Sequence, residues 1–474
     1  MGRTGRPVIV LGLDSVPPSL LLDRFRDELP NFQRLLGRSL YGPLRTTDPP
    51  ITVPAWAVMF TGVDPGTLGV YGFRHRPPGQ YQASYMPTPA TLRRPPLWDI
   101  LSRRGRRVAV LGVPPGYPPP VVNGVYLGDF HTPPGAADAV YPASLREDLE
   151  HALGEPFRFD VEFRVEDRSG LLPAIRSLTR QRFALAREIY RREPWDLFIL
   201  HDIGPDRFHH AFWKYFDPDH PRHEPGNRYL GSAREYYRLL DEEVGRFLES
   251  TDPDSVVLVA SDHGSKAMEG CFAVNDWLVS HGYLTLRRNP DPGTPLEKAD
   301  VDWDRTRVWG AGGYYARLWL NLRGRETQGI VEADEVPGLL RDLSRELEAV
   351  RTPTGAPMGV RLLRPQDIYT EVKGDPPDLI AYFGDLSWRS AGTVGHPSHF
   401  LRENDTGPDD AVHDWDGVYV LIDRGRPLET PPRPMGPRES IRDVAPTLLN
   451  ILGEPIPPWM QGRPIGAWMS WTRR

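Results

Sequence analysis

Short apolar runs are spaced along the chain and predict a set of buried β-strands. Each run is continuous and is bounded by charged or turn-forming residues, which is typical of strands buried on both faces of a parallel sheet. Helical spacing separates several of the runs, most clearly at 226–250, where one face is apolar. Strands that alternate with helices predict an α/β fold with helices on both sides of the sheet. The runs lie at 8–13, 107–111, 195–200, 256–259 and 418–422.

The segment TTDPPITVPAWAVMFTG at 46–62 predicts a loop that leads into a helix. Its first prolines favour an extended chain up to Thr52, and Pro54 suits the first turn of a helix. Thr52 is therefore expected at or beside the start of this helix. Free backbone N–H groups favour an anion at such a position.

The pattern becomes more polar from about 289 to 378, where the apolar runs are short. We interpret this stretch as an inserted accessory segment on the carboxyl side of the sheet, within a single catalytic domain that spans residues 1–474. Residues 20–40 have mostly helical spacing, which is broken at Pro30. With 52 prolines and 45 glycines, the chain is expected to have many rigid loops and no long uncapped helices.

The composition bounds the classes of function. The chain has 474 residues, of which 39% are hydrophobic and 25% charged, as in soluble globular proteins. With a formal net charge of −6, the chain has no global basic field that would favour nucleic acid or an acidic membrane as a partner. The single cysteine, Cys271, excludes an internal disulfide and a cysteine-based metal cluster. The first apolar run is too short for a signal peptide and no run is long enough to span a bilayer, so we expect a cytoplasmic protein.

Acidic and histidine residues follow two of the predicted strands. Asp14 follows the run at 8–13, and Asp262 and His263 follow the run at 256–259. Because ligands bind outside the carboxyl ends of the strands in an open α/β sheet, these side chains are expected where the chemistry takes place. Asp and His suit metal sites with oxygen and nitrogen ligands, chiefly for zinc or manganese.

Three further candidates lie in two other segments. Asp206 and His210 are four residues apart, so that on a helix they share one face and could bind one ion. His413 comes just before the apolar run at 418–422. Each candidate alone has a plain structural explanation, since an aspartate can cap a helix and a histidine can pack in a core or lie in a solvated loop. The combination of four separate segments is what favours a metal site.

The same segments resemble a known family. The resemblance rests on VLGLD at 10–14, the segment at 46–62, the Asp206/His210 pair, SDHG at 261–264, NDWLVSHGYL at 275–284 and TGPDDAVHDWDGVYVLI at 406–422. On these motifs the chain resembles the alkaline phosphatase superfamily, and within it the branch of type I phosphodiesterases and nucleotide pyrophosphatases, near bacterial predicted phosphohydrolases and phosphomutases. The resemblance covers most of the chain. It implies a three-layer αβα sandwich with a mostly parallel central sheet.

The resemblance also implies roles for the candidate residues. Thr52 matches the family's nucleophile, which becomes phosphorylated and is then freed by water. Two divalent ions are implied as cofactors, chiefly zinc, with manganese as the alternative. One ion would be held by Asp206, His210 and His413, and the other by Asp14, Asp262, His263 and Thr52.

The function that follows from the resemblance is metal-dependent hydrolysis of a small-molecule phosphate ester or phosphodiester. One alternative is phosphotransfer to an acceptor alcohol, as in a phosphomutase. Another is a non-catalytic binding protein that keeps the fold, which the chemically competent residues at all seven positions disfavour. Two departures put nucleotide specificity in doubt: many nucleotide pyrophosphatases have asparagine at the position of Ala55, and histidine is frequent at that of Leu68. Neither Thr52 nor Cys271 lies in the motif of a sulfatase.

Residues near these motifs are secondary candidates. His396 and His399 precede His413 and could replace it as a ligand. Lys266 could reach a phosphate, and Asn275 is expected to cap a helix. Possible partners of the ligands are His201, Asp202 and His209, of which His209 is favoured as a packing residue. Possible lining residues of the substrate pocket are Tyr71, Phe73, Arg74 and His75.

Overall fold

The computed structural model describes residues 6–428 and 438–466. The strands in chain order are Val8–Leu13 (β1), Leu40–Arg45 (β2), Val108–Leu111 (β3), Gly124–Leu127 (β4), Val140–Tyr141 (β5), Leu197–Asp202 (β6), Val256–Ala260 (β7), Gly264–Ala267 (β8), Gly270–Ala273 (β9), Thr294–Pro295 (β10), Val308–Ala311 (β11), Ala316–Leu320 (β12), Arg361–Leu363 (β13), Leu379–Tyr382 (β14), Trp388–Ala391 (β15), Thr393–Val394 (β16), Phe400–Leu401 (β17), Ala411–Asp414 (β18), Asp416–Asp423 (β19) and Glu439–Ser440 (β20).

The α-helices, besides a few short 3₁₀ and π turns, are Pro30–Leu36 (α1), Thr52–Thr61 (α2), Pro65–Leu68 (α3), Leu97–Arg103 (α4), Leu145–Leu153 (α5), Leu171–Arg192 (α6), Gly204–Phe216 (α7), Ser232–Glu249 (α8), Val274–Ser280 (α9), Val336–Glu348 (α10), Pro365–Ile368 (α11) and Val444–Ile451 (α12).

The predicted apolar runs form the middle of the largest sheet. Its order is β20-β2-β19-β7-β1-β6-β3-β4-β5. The five strands from β7 to β4 in this order are parallel, whereas β19 is antiparallel to both of its neighbours. The predicted α/β class with a mostly parallel central sheet is confirmed. The carboxyl ends of β1, β6 and β7 therefore lie along one edge.

Helices cover both faces of this sheet. Successive side chains of β1 point to opposite faces. Val8 and Val10 pack in a core with α2, α4 and α12, while Ile9 and Leu11 pack in another core with α6, α7 and α8. The three-layer αβα arrangement is thus the one that the sequence resemblance implied.

The helical spacing at 20–40 is broken at Pro30, as the sequence indicated: short helical turns come first, α1 begins at Pro30, and the chain then enters β2, which pairs with β19. Gly42 and Pro43, both poor strand formers, conceal this strand in the sequence. One expectation was wrong, because a long uncapped helix does exist: α6 has 22 residues and no side-chain cap at its start. Its buried face packs against α8 and β6, and such tertiary packing stabilises a helix without caps.

An accessory sheet lies beside the main one, with the order β11-β12-β14-β13. It packs with α9 and α10 around a separate apolar core that includes Trp309, Leu318 and Leu343. Its strands fall between Val308 and Tyr382 and so overlap the predicted insert at 289–378. The insert's bounds, and the single domain of residues 1–474, stay predictions.

None of the helices within 6–428 and 438–466 combines the length and the apolar character needed to cross a membrane. The cytoplasmic location stays a prediction.

Candidate metal centre

The register of the main sheet sets two aspartates side by side. β1 and β7 are parallel neighbours in which Gly12 pairs with Ala260. Asp14 and Asp262 each lie two residues further on, beyond the carboxyl ends of their strands, and both are fully buried. The backbone N–H of Ser15 donates to Asp262 Oδ1 at 3.2 Å and ties the two strand ends together.

His263 completes a first group with these carboxylates, which we call cluster A (Asp14, Asp262 and His263). His263 Nε2 lies 3.2 Å from Asp262 Oδ2 and 3.7 Å from Asp14 Oδ1. The ring's Nδ1 donates to the carbonyl oxygen of Gly264 at 3.0 Å, which leaves a lone pair on Nε2. The two carboxylate oxygens that face Nε2 receive no hydrogen bond from the described part of the chain. Three acceptor atoms therefore converge with no donor among them.

Helix α7 supplies most of a second group, which we call cluster B (Asp206, His210 and His413). α7 follows β6, the other parallel neighbour of β1, and carries Asp206 and His210 one turn apart on the same face. Asp206 Oδ1 lies 3.2 Å from His210 Nε2 and 3.8 Å from His413 Nε2. This oxygen, too, has no donor among the described residues.

Strand β18 brings His413 to the site. β18 runs antiparallel to β8, the strand that follows His263, and pairs His413 with Ser265. His413 Nδ1 donates to the carbonyl oxygen of Pro50 at 2.8 Å. This hydrogen bond fixes the tautomer that leaves Nε2 free to face Asp206.

The two clusters adjoin. The imidazole rings of His263 and His413 stack with their centroids 3.8 Å apart. Within each cluster the three candidate ligand atoms all lie within 4.8 Å of one another. Both groups fit a divalent metal ion, because buried carboxylate oxygens without donors are costly unless a cation neutralises them, and because Asp and His are its usual protein ligands.

Thr52 lies next to cluster A at the start of α2. It is the first residue of the helix, after Ile51 as the N-cap, and is only 2% exposed. Its Oγ1 lies 3.2 Å from His263 Nε2. The N–H groups of Thr52 and Val53 have no partner within the helix, since the first intrahelical bond is that of Ala55 to Ile51. A hydroxyl, two amides without a partner in the described part of the chain and the acceptors of cluster A are thus close together.

An indole and an imidazole support cluster A. Trp56 Nε1 and His201 Nε2 both lie 2.8 Å from Asp14 Oδ2, the oxygen that faces away from His263. Trp56 fits here only because Gly12 lacks a side chain: a Cβ atom would lie 2.5 Å from the indole. His201 was among the predicted partners, whereas no sequence pattern indicated the role of Trp56.

An ionic network supports cluster B. His210 Nδ1 donates to Asp409 Oδ1 at 2.7 Å. The other oxygen of Asp409 accepts from Arg389 Nη1 at 2.8 Å and from Arg164 Nε at 3.1 Å. Asp409 lies in the 406–422 motif, but only the tertiary structure shows that it holds a ligand.

Tyr314 covers the histidines of cluster B. Its ring stacks on that of His413 with centroids 3.7 Å apart, and its hydroxyl lies 3.1 Å from His210 Nε2. Arg164 donates to the same hydroxyl at 3.0 Å. The sequence analysis missed this tyrosine, which comes from the accessory segment.

The carboxylates of the two clusters have opposite pKa shifts. Burial, and next the charge of Asp14, raise the pKa of Asp262 well above its usual value. Burial alone would also raise the pKa of Asp206, but the neighbouring His210 and Arg207 lower it well below its usual value. In cluster A a second negative charge beside Asp14 is thus unfavourable unless a cation lies there.

Burial lowers the pKa of His263 and His413, so both rings are neutral. His210 differs: burial would lower its pKa, but the carboxylate of Asp409 and other neighbours raise it. Neutral imidazole is the form that binds a metal.

The two histidines that could have replaced His413 as a ligand lie outside both clusters. His396 Nε2 lies 2.8 Å from Thr393 Oγ1, and His399 Nε2 lies 3.2 Å from Ser280 Oγ. Neither belongs to a group with metal-binding geometry among the described residues.

Other secondary candidates are engaged away from the clusters. Lys266 pairs with Asp414 at 3.1 Å. Asn275 was expected to cap a helix, and this was wrong. Its side-chain amide instead forms hydrogen bonds with the backbone of Gly310 and Gly392. Asp202 bonds to Thr179 and to the Gly204 amide, and His209 bonds to Tyr237.

The fold and the buried Asp/His site together define a class, the metal-dependent phosphoester hydrolases of the alkaline phosphatase superfamily. The family whose profile matches is described as type I phosphodiesterase / nucleotide pyrophosphatase, and the match spans residues 8–416. The chain belongs to this family and is a hydrolase of phosphate ester bonds.

Solved structures share the fold over nearly the whole chain. Phosphonoacetate hydrolase from Sinorhizobium meliloti 1021, in complex with phosphonoformate, is 16% identical with a TM-score of 0.61, covering 94% of this chain and 95% of its own. Inactive murine ectonucleotide pyrophosphatase/phosphodiesterase 5, in complex with AMP, is 11% identical with a TM-score of 0.56, covering 99% of both chains. None of the curated proteins matches at a significant level.

Proposed function

We propose that the protein hydrolyses a small phosphate ester or phosphodiester through a phosphorylated Thr52, with one divalent ion in each cluster. The observation that carries this proposal is the position of the Thr52 hydroxyl, 3.2 Å from His263 Nε2 and beside acceptors that lack donors. A buried hydroxyl at this place is the natural nucleophile of the site.

The chain's own residues would hold the ions. Cluster A, with Thr52, would bind one ion and cluster B the other, and the mixture of carboxylate and imidazole ligands favours zinc, with manganese as the alternative. Two bound ions would lower the pKa of the nucleophile and stabilise charge on the leaving group.

The proposed reaction has two displacements at phosphorus. Thr52 Oγ bonds to phosphorus and loses its proton to solvent, while the bond to the ester oxygen breaks and the leaving alcohol gains a proton. Water then bonds to phosphorus, the Thr52 Oγ–phosphorus bond breaks, and the hydroxyl regains a proton. The free N–H groups of Thr52 and Val53 would bind a phosphoryl oxygen during both steps.

Substitution of the nucleophile tests the proposal. Thr52→Ala should keep the fold and the bound ions but abolish turnover of bis(4-nitrophenyl) phosphate and 4-nitrophenyl phosphate. Acid-quenched wild-type enzyme should carry a phosphoryl group on the peptide that contains Thr52. Thr47→Ala, in the same loop, is the matched control and should turn over normally. Unchanged turnover by Thr52→Ala would exclude Thr52 as the nucleophile.

A further inference from the structure

A cavity of about 480 Å³ lies between the accessory sheet and the segment 74–84. Its lining includes neither Thr52 nor any residue of cluster A or cluster B. The volume is in the range of sites that bind small molecules. The proposed chemistry assigns no role to this cavity.

Two arginines in its lining have no carboxylate partner. Arg74 and Arg317 form no ion pair in the described part of the chain, and the Arg317 guanidinium donates to the carbonyl oxygen of Arg74. A third arginine, Arg76, differs, because Glu326 accepts two hydrogen bonds from it at 2.8 and 2.9 Å. Unpaired guanidinium groups in a cavity favour an anionic ligand, since their fork of donors matches a carboxylate or a phosphonate.

The acidic residues of the lining do not compensate these arginines. Asp405 accepts hydrogen bonds from the backbone N–H groups of Gly392 and Thr393, at 2.9 and 3.3 Å. Glu297 is exposed to solvent. The unpaired positive charge therefore stays on the side formed by Arg74 and Arg317.

A buried donor without an acceptor points to the same ligand. His75 lines the cavity and is 2% exposed. Its Nε2 accepts from the Tyr71 N–H at 2.7 Å, so the proton of the neutral ring is on Nδ1. Nδ1 has no hydrogen-bond partner among the described residues. Burial, and next the charge of Arg317, lower the pKa of His75 to about 3, so the ring stays neutral.

The remaining wall is aromatic and rigid. Tyr81 and Trp303 stack with centroids 3.7 Å apart, and Trp309 meets Trp303 edge-on at 5.2 Å. The amide of Asn275 fixes the glycine-rich backbone opposite by donating to the carbonyl oxygens of Gly310 and Gly392. Aromatic rings beside a backbone without side chains form a narrow part of the cavity that suits a flat ring.

We propose that this cavity is a second binding site, for an organic anion that carries a flat ring. Arg74, Arg317 and His75 Nδ1 bind its carboxylate or phosphonate group, and the aromatic wall contacts its ring. The cavity shares a wall with the metal centre, because Gly313 lines it and the next residue, Tyr314, stacks on His413. The ligand is either a free small molecule or the part of a substrate remote from Thr52.

Calorimetric titration with benzoate and phenylphosphonate tests the proposal. EDTA in the buffer removes binding through active-site ions, so the result does not depend on the proposed function. Both probes should bind the wild type, and benzamide, which has the ring without the charge, should bind at least about tenfold more weakly. No binding of either anion, or equal binding of benzamide, would overturn the site.

Variants locate the binding. Arg74→Gln, at an exposed residue, and the double variant with Arg317→Gln should each weaken benzoate by about tenfold or more. Arg323→Gln, at an exposed arginine outside the cavity that pairs with Glu332, is the control and should bind as the wild type does. Unchanged affinity in folded Arg74→Gln and in the double variant would refute the proposal.

Kinetics with the ion-loaded enzyme separate the two sources of the ligand. If the cavity binds part of the substrate, Arg74→Gln raises KM for a 4-carboxyphenyl phosphodiester and leaves KM for the phenyl phosphodiester unchanged. If it binds a free molecule, benzoate changes the wild-type rate on the phenyl diester, and Arg74→Gln abolishes that effect.

Discussion

Cluster A and cluster B use the same residue types but are built in different ways. Cluster A has two carboxylates and one imidazole at the ends of two central, parallel strands, and its Asp14 is held by the indole N–H of Trp56 and by the ring of His201. Cluster B has one carboxylate and two imidazoles from a helix and a four-residue strand. Its His210 is held by a buried Asp409, which is itself paired with two arginines.

The difference indicates which substitutions should disturb the geometry of each cluster. The register of the sheet places cluster A, so that loss of the neutral indole donor of Trp56 should have a small effect. The charges of Asp409, Arg164 and Arg389 hold His210 in cluster B, and breaking one partner of a buried ion pair leaves an uncompensated charge. Cluster B should therefore depend more strongly on its supporting residues.

The largest effect is expected when cluster A itself is changed. Asp262→Asn keeps the shape of the side chain but removes one of the two negative charges that would hold the ion. Turnover should be abolished and the ion content measured by elemental analysis should fall from two per chain to one. Asp334→Asn, at an exposed aspartate, should retain both ions. A full complement of ions in Asp262→Asn would contradict the assignment of cluster A.

A smaller effect on metal binding and activity is expected when a residue that supports cluster B is changed. Asp409→Asn removes the charge that orients His210, and loss of such a partner costs roughly 10–100-fold in metal affinity or activity. Titration of the metal-free variant with zinc should show a weakened site, and kcat should fall while cluster A keeps its ion. Unchanged zinc affinity would mean that the ionic network does not position His210.

The smallest effect on metal binding is expected when Trp56, which supports cluster A, is changed. Trp56→Phe removes a neutral donor to Asp14 while the strand register stays, and a neutral hydrogen bond is worth about 1 kcal/mol, or roughly fivefold in affinity. Zinc affinity per folded molecule is the measurement, because loss of a buried indole also lowers stability. The comparison of the two clusters fails if Trp56→Phe weakens zinc binding more than Asp409→Asn does.

The sequence predicted the strand ends better than the long-range partners. Asp14 and Asp262 follow continuous apolar runs, and the rule for open α/β sheets places such residues at one edge without further information. Asp206 and His210 were predicted as a pair from helical spacing. Thr52 was expected at a helix start, and the structure makes it the first helical residue.

What the sequence left open depends on contacts between distant segments. His413 had His396 and His399 as rivals, and only the pairing of β18 with β8 places it in cluster B. Asp409 and Tyr314 have no local pattern, because their roles arise from packing against α7. β2 was concealed by a glycine and a proline, and the length of α6 was not expected because this helix lacks a side-chain cap and is stabilised by packing instead.

The hydrogen bond from Ser15 to Asp262 also constrains the order of folding. Its partners are 247 positions apart, so cluster A exists only after β1 and β7 have paired. Pairing at such a distance in the chain is slow, because a long loop has to close first. Binding of an ion by all three ligands of cluster A would therefore follow the pairing of β1 with β7. Time-resolved zinc binding during refolding would report on that late step.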